Sequence, residues 1–167
     1  MTQEQLNTIL SNHKKWILGK GGERANLIDA HLIGANLRDA DLRGVKLDNI
    51  IVDENTQGYF PICPDGDFIA WKKLANNYIA QLLIPAHAKR SNATSLKCRA
   101  SEAKVLAIYS KLGDEWVNVD TGISINDTSF VYRVGETVKV DNFDDDRWNE
   151  CSTGIHFFIS REVAELY

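Results

Sequence analysis

Between Ala25 and Leu47 the chain repeats itself every five residues. The run reads Ala25-Asn26-Leu27-Ile28-Asp29, Ala30-His31-Leu32-Ile33-Gly34, Ala35-Asn36-Leu37-Arg38-Asp39, Ala40-Asp41-Leu42-Arg43-Gly44 and Val45-Lys46-Leu47-Asp48-Asn49. Ile50 and Val52 hold the register for a sixth unit. A small residue recurs in each unit and a Leu follows two places later. An α-helix repeats every 3.6 residues and a strand every 2, so neither would gather these positions on one face. A coil with four five-residue sides would: the small residue fits a crowded corner and the Leu fills the axis. Self-similarity at a fixed period is the mark of a stacked solenoid. The Gly, Asp and Asn content of the run also argues against an alanine-rich helix.

The pattern A-(D/N)-L-x-x resembles the pentapeptide-repeat family, whose chains wind as a right-handed, four-sided β-helix with one coil per four repeats. The resemblance covers about 30 of the 167 residues. Six units imply about one and a half coils, or roughly 7 Å of solenoid at the spacing of stacked strands. Long, acidic members of that family act as duplex-DNA mimics. Here Glu23, Asp29, Asp39, Asp41 and Asp48 face Arg24, Arg38, Arg43 and Lys46. That near-balance and the shortness of the run make the repeat a scaffold or contact face and argue against a duplex-DNA role.

The remaining totals set broad bounds. With 44% hydrophobic and 25% charged residues the composition is that of a globular protein. The net charge of −4 gives no reason to expect nonspecific nucleic-acid binding. Cys63, Cys98 and Cys151 are odd in number and lack CxxC spacing, which suits a reducing cytosol. No apolar run is long enough for a membrane span, and Met1-Thr2-Gln3-Glu4-Gln5 lacks the features of a signal peptide. The expectation is a cytoplasmic protein.

In chain order, Thr2 and Gln5 form a capping-box pattern ahead of Leu6, Ile9, Leu10, His13, Trp16 and Ile17 at helical spacing, and Gly19, Gly21 and Gly22 end the run. A helix over 3–18 should cover the open end of the first coil, with His13 packed beneath it and His31 on the surface. Residues 53–67 lose the repeat and contain the turn Pro64-Asp65-Gly66, so they read as a boundary. Beyond it the period becomes two. Strands are expected over 68–71, 78–84, 105–110, 115–119, 130–134, 136–140 and 154–159, with a hairpin turn at Val134-Gly135. Pro85 breaks the ladder ahead of a small, basic stretch over 86–104. Ser160 should cap a last helix over 161–166. The fold class is therefore α+β and rich in β-structure. It comprises a capping helix (1–22), a short quadrilateral β-helix (23–54) and a small antiparallel α+β domain (66–167).

Two charge blocks invite chemistry. Residues 87–104 hold Lys89, Arg90, Lys97, Arg99 and Lys104 against Glu102, a net of +4. Residues 141–150 hold Asp141, Asp144, Asp145, Asp146 and Glu150 against Arg147, a net of −4. Both can be solvated loops that attract one another. The basic block with Ser91, Thr94 and Ser95 can instead form an anion pocket, although it has no glycine and is no phosphate loop. Lys89, Arg90, Lys97 and Arg99, with Arg133, Trp148 and His156, are the candidate ligand-binding residues. The acidic run fails the calcium-loop pattern, because Asp146 stands at the required glycine and Ser152 at the bidentate Glu. Zinc would require Cys63, Cys98, Cys151 and His156 to converge from well-separated segments. Cys151 and His156 could make a thiol–base pair, but need not face each other across a turn. No metal, cofactor or catalytic residue is assigned.

A second resemblance rests on Leu83-Ile84-Pro85-Ala86-His87-Ala88-Lys89-Arg90, on Leu96–Val105, and on Tyr132–Val140 running into Asp144–Ile159. These stretches are similar to an uncharacterised domain of phage and prophage proteins that often follows a short pentapeptide repeat. That likeness implies a viral origin and a place in the cytoplasm of a bacterial host cell, but no reaction. Gly154-Ile155-His156-Phe157-Phe158 followed by Ala164-Glu165-Leu166-Tyr167 also resembles the strand-then-helix element that flanks the dinucleotide in ADP-ribosyltransferases. His156 replaces that family's tyrosine, Ala70-Trp71-Lys72 stands where its opening strand would be sought, and no catalytic Glu can be placed. The leading expectation is a non-enzymatic, phage-encoded binding protein that counters or retunes a host pathway by sequestering a nucleotide-type signal. The alternatives are a module that occupies a host enzyme through the repeat or the acidic run, and an ADP-ribosyltransferase-like enzyme. The admissible partners are a host protein, a nucleotide-type small molecule or a second copy of the chain.

Overall fold

The computed structural model describes all 167 residues. The chain divides into two compact units, residues 1–61 with 93–95 and residues 62–92 with 96–167.

The first unit opens with helix α1 (Gln3–Ile17). Thr2 Oγ1 accepts from the Gln5 amide at 3.2 Å, and the Gln5 side chain accepts from the Thr2 amide at 2.9 Å. Two of the amides that a helix start leaves unpaired are thereby satisfied. Leu6 is buried against Leu27, Leu32 and Leu37 of the repeat. His13 is fully buried. Its Nδ1 accepts from the Ala25 amide at 3.2 Å, so Nε2 carries the proton and donates to the Arg43 carbonyl at 3.1 Å. Trp16 stacks on the His13 ring at 5.4 Å.

The repeat pairs with itself in parallel, Asn26 with Lys46, His31 with Ile51 and Asn36 with Gln57. The offsets are one coil of four repeats, with one extra residue in the last pair. Between neighbouring sides a turn closes: the amides of Ala30, Ala35, Ala40 and Val45 donate to the carbonyls of Leu27, Leu32, Leu37 and Leu42. Asp29, Gly34, Asp39, Gly44 and Asn49 take positive φ at the third turn position, as a type II turn demands. Each unit ends in Asp, Gly or Asn because these residues tolerate that conformation best. Leu27, Leu32, Leu37 and Leu42 are at most 1% exposed. Leu47 is only half-buried, as are Ala30, Ala35, Ala40 and Val45, whereas Ala25 is buried. The unit is consistent with a β-helix. Its self-pairing runs past residue 54 to Gln57, where Thr56 is buried and donates to the Leu32 carbonyl at 2.9 Å. Thr94 belongs to this unit and donates to the Ala40 carbonyl at 2.7 Å.

The second unit is built on antiparallel strands: β1 (Phe68–Lys73), β2 (Ile79–Ile84), β3 (Arg90–Asn92), β4 (Cys98–Ala100), β5 (Glu102–Leu112), β6 (Glu115–Val119), β7 (Thr121–Ile123), β8 (Val131–Arg133), β9 (Thr137–Lys139) and β10 (Ile155–Phe157). The largest sheet has the order β1-β2-β5-β6, with β9 pairing the first residues of β5. A second sheet has the order β10-β4-β3, and β7 pairs with β8. Trp71 and Phe158 exchange backbone hydrogen bonds at 2.7 Å. Helix α2 (Arg161–Leu166) is capped by Ser160, whose Oγ accepts from the Val163 amide. Ala70, Leu82, Ile84, Val105, Ile108, Ile155 and Phe157 form the centre of the core.

Two local expectations are corrected. Val134-Gly135 is not a hairpin turn. β8 pairs with β7 and β9 with β5, and the Gly135 amide donates to the Val105 carbonyl at 2.8 Å, so the turn moves the chain between sheets. The stretch over 86–104 is not merely a basic connection. It supplies β3, β4 and the start of β5, because Ala88, Cys98, Ala100 and Ala103 are buried between its charges.

Candidate functional site

Most of the basic residues singled out in the sequence are engaged within the unit. Arg90 turns its guanidinium onto the carbonyls of Pro64, Gly66, Pro85 and Ala86, each at 2.8 Å, and lies over Phe68. Arg99 is 1% exposed; it donates to the carbonyls of Asp144, Asp146 and Thr153 at 2.8–2.9 Å and stacks on Phe143. These are the fork-shaped contacts a guanidinium makes best. They tie residues 64–66, residues 85–86 and the loop over 144–153 to the sheet β10-β4-β3. Lys89 pairs with Asp145 at 2.9 Å, Lys97 reaches Cys151 Sγ at 3.2 Å, and Arg133 meets Glu136 at 3.8 Å. Trp148 lies beneath the Arg147 guanidinium.

The acidic run is likewise folded onto itself. Asp144 accepts from the Asp146 amide and Asp146 from the Trp148 amide. No group of three or more His, Cys, Asp or Glu side chains is placed to hold a metal ion.

His156 is the one candidate of the seven that lines a cavity of about 370 Å³ in the second unit. The cavity sits between the β10 side of one sheet and the β7–β8 ribbon. Its walls include Lys72, Tyr132, Phe130, Ser124 and Asn126, with Cys151–Gly154 along one edge. An adjoining pocket of about 80 Å³ shares Lys72, Ser124, Asn126 and His156. The volume falls within the roughly 300–1,000 Å³ of small-molecule sites.

Lys72 is the unusual group. It is half-buried on β1, two residues beyond the buried Ala70 and therefore on the same face. Its Nζ donates to the His156 carbonyl at 3.0 Å and lies 5.7 Å from the Tyr132 ring centre. No carboxylate forms an ion pair with it. Burial lowers its pKa to about 8, so at neutral pH an ammonium sits in the wall without an anionic partner. His156 is pushed down to about 4, first by burial and then by the charges of Lys72 and Lys97. The neutral ring donates through Nε2 to the Ser152 carbonyl at 3.1 Å, which leaves Nδ1 as an acceptor. Across the cavity the Asp127 carboxyl is held below its ordinary range by the hydroxyl and amide of Ser129.

Lys72 and Tyr132 were not among the candidate ligand-binding residues. The available signal was the alternation itself, which puts Lys72 in register with Phe68 and Ala70 on an inward face. The order of β10 followed by α2, and the bridge from Phe158 to Trp71, set the Gly154–Phe158 and Ala70–Lys72 stretches side by side.

Residues 23–51 match the model for pentapeptide repeats, and residues 59–164 match a model described as a family of unknown function (DUF5758). Neither a curated protein nor a solved structure matches the chain. The match over 59–164 spans the strands, the cavity and nearly all of α2, so the chain belongs to the DUF5758 family, with pentapeptide repeats ahead of the family domain.

Proposed function

We propose that the second unit binds a small anionic ligand of nucleotide type in the Lys72–His156 cavity, and that the protein acts by binding rather than by turnover. The observation that carries this reading is the Lys72 ammonium, desolvated in the wall of a ligand-sized cavity without a carboxylate to neutralise it. A buried charge with no partner costs stability, and a phosphate or carboxylate would remove that cost on binding. Ser124 and Asn126 add directed donors, Nδ1 of His156 offers an acceptor, and Phe130 gives a face on which a base can lie. Gly154, Ile155 and His156, of the stretch that resembles the ADP-ribosyltransferase strand, line the same cavity as Lys72, which supports a nucleotide over a simple anion. In this reading a phage-encoded protein in the bacterial cytoplasm withdraws a nucleotide signal from a host pathway. The repeat, a right-handed four-sided coil, serves as scaffold.

Calorimetric titration of the full chain with adenosine mononucleotides and with inorganic phosphate at neutral pH tests the proposal. One site is expected for the nucleotide, and Lys72→Met should abolish it. No heat from any of them at about 100 µM protein, a concentration that detects micromolar binding, would overturn it.

A further inference from the structure

Lys72 differs from other lysines of the second unit in the group it bonds. Lys89 pairs with Asp145 and Lys139 with Glu102, both carboxylates. Lys72 Nζ instead meets the His156 carbonyl at 3.0 Å, with the Tyr132 ring centre 5.7 Å away. A carboxylate holds a lysine as the ammonium, because only the charged form gains from the ion pair. A carbonyl makes no such demand. The neutral amine can give it the same hydrogen bond, and the nitrogen lone pair then stays free. Burial acts in the same direction: about a tenth of Lys72 is free amine at neutral pH, against about one in three thousand for an ordinary lysine. A desolvated amine in a cavity wall is the nucleophile that Schiff-base chemistry uses.

The space around this amine has two compartments. Lys72, Ser124, Asn126 and His156 line both the cavity of about 370 Å³ and the adjoining pocket of about 80 Å³. The smaller pocket is also lined by Lys73, whose Nζ likewise donates to a carbonyl, that of Glu165, at 3.0 Å. It has room for a phosphate but not for a sugar. A small molecule that suits both compartments carries an aldehyde for the Lys72 amine and an anionic group for Lys73. Open-chain sugar phosphates have both.

We propose that Lys72 captures the aldehyde of a small sugar phosphate as an imine, with the phosphate held against Lys73. The Lys72 nitrogen attacks the carbonyl carbon, and the carbonyl oxygen takes up the proton that the nitrogen loses. The carbinolamine then expels its hydroxyl, which leaves as water with the second nitrogen proton, and the C=N bond forms. No oxidant or reductant is consumed, and water reverses the step. The proposal rests on the reading of this cavity as an anion site and adds a reversible covalent bond to it.

The test is incubation of the full wild-type chain with glyceraldehyde 3-phosphate and sodium cyanoborohydride at neutral pH. The hydride reduces the imine to a stable amine, so the chain gains the mass of the sugar phosphate less one oxygen. Peptide mapping by mass spectrometry should find Lys72 labelled at least about tenfold faster than the exposed Lys20 and Lys104. Glyceraldehyde without the phosphate should lose that preference. Labelling of Lys72 no faster than of Lys20 and Lys104 would overturn the proposal, and so would equal labelling of Lys72 by the two aldehydes. Nucleotide heat in the calorimeter without Lys72 labelling removes the imine alone, whereas Lys72 labelling without nucleotide heat removes the nucleotide alone.

Discussion

Lys72 is the residue at which stability and the proposed binding pull apart. Its lowered pKa means that the folded state binds the proton less well than the unfolded chain. The unfolded chain therefore holds more protons between about pH 8 and 10.5, and stability should rise with pH across that window as the buried charge is discharged. Lys72→Met keeps the length and removes the charge. It should stabilise the protein at neutral pH by on the order of 1–3 kcal/mol, seen as an increase in Tm, while abolishing nucleotide binding. A destabilised Lys72→Met would mean that the bond to the His156 carbonyl and the Tyr132 contact outweigh the desolvation. His156 has the same sign in acid. Its folded pKa of about 4 lies below the ordinary 6.5, so stability should fall as pH drops from about 6.5 to 4, and His156→Gln should flatten that slope in denaturant melts at several pH values. Arg99 behaves in the opposite way to Lys72, since three carbonyls hold its guanidinium. Arg99→Met should leave those carbonyls unpaired and cost about 3 kcal/mol or more in urea unfolding.

At the scale of elements, what was legible followed from local rules. The five-residue period, the Thr2 capping box and the Ser160 cap are written in consecutive residues, and the structure places a helix or a turn at each. The turn residues at the end of each unit carry a further signal: Asp29, Gly34, Asp39, Gly44 and Asn49 all take positive φ. Gly58, just past the repeat in the first unit, is a restrictive position. It has φ +77°, and a Cβ there would lie 2.7 Å from the Arg38 amide nitrogen. Gly58→Ala should destabilise the first unit by about 2 kcal/mol or more, read as a lower thermal midpoint. The strands of the second unit were legible as segments but not as partners. Val134-Gly135 has hairpin composition, yet β8 and β9 pair elsewhere, because Tyr132 and Val138 are both drawn into the core from separate sheets. Basic residues in sequence order suggested one anion pocket. Nothing local says that Arg90 and Arg99 would be consumed by carbonyls of loops that fold over them.

For the whole molecule, the net charge of −4 works against long-range attraction of an anion, so the proposed binding would have to come from the local field of the cavity. Affinity should then depend on the protonation of Lys72 more than on ionic strength. It should weaken about tenfold per pH unit above about pH 8, the pKa of the free protein, in titrations at fixed salt. The most direct measurement is NMR of the Lys72 side chain, followed through a pH titration with and without adenosine monophosphate. The expected result is a pKa near 8 in the free protein that moves up by at least one unit when the nucleotide is bound. A Lys72 pKa that is the same in both titrations would contradict it.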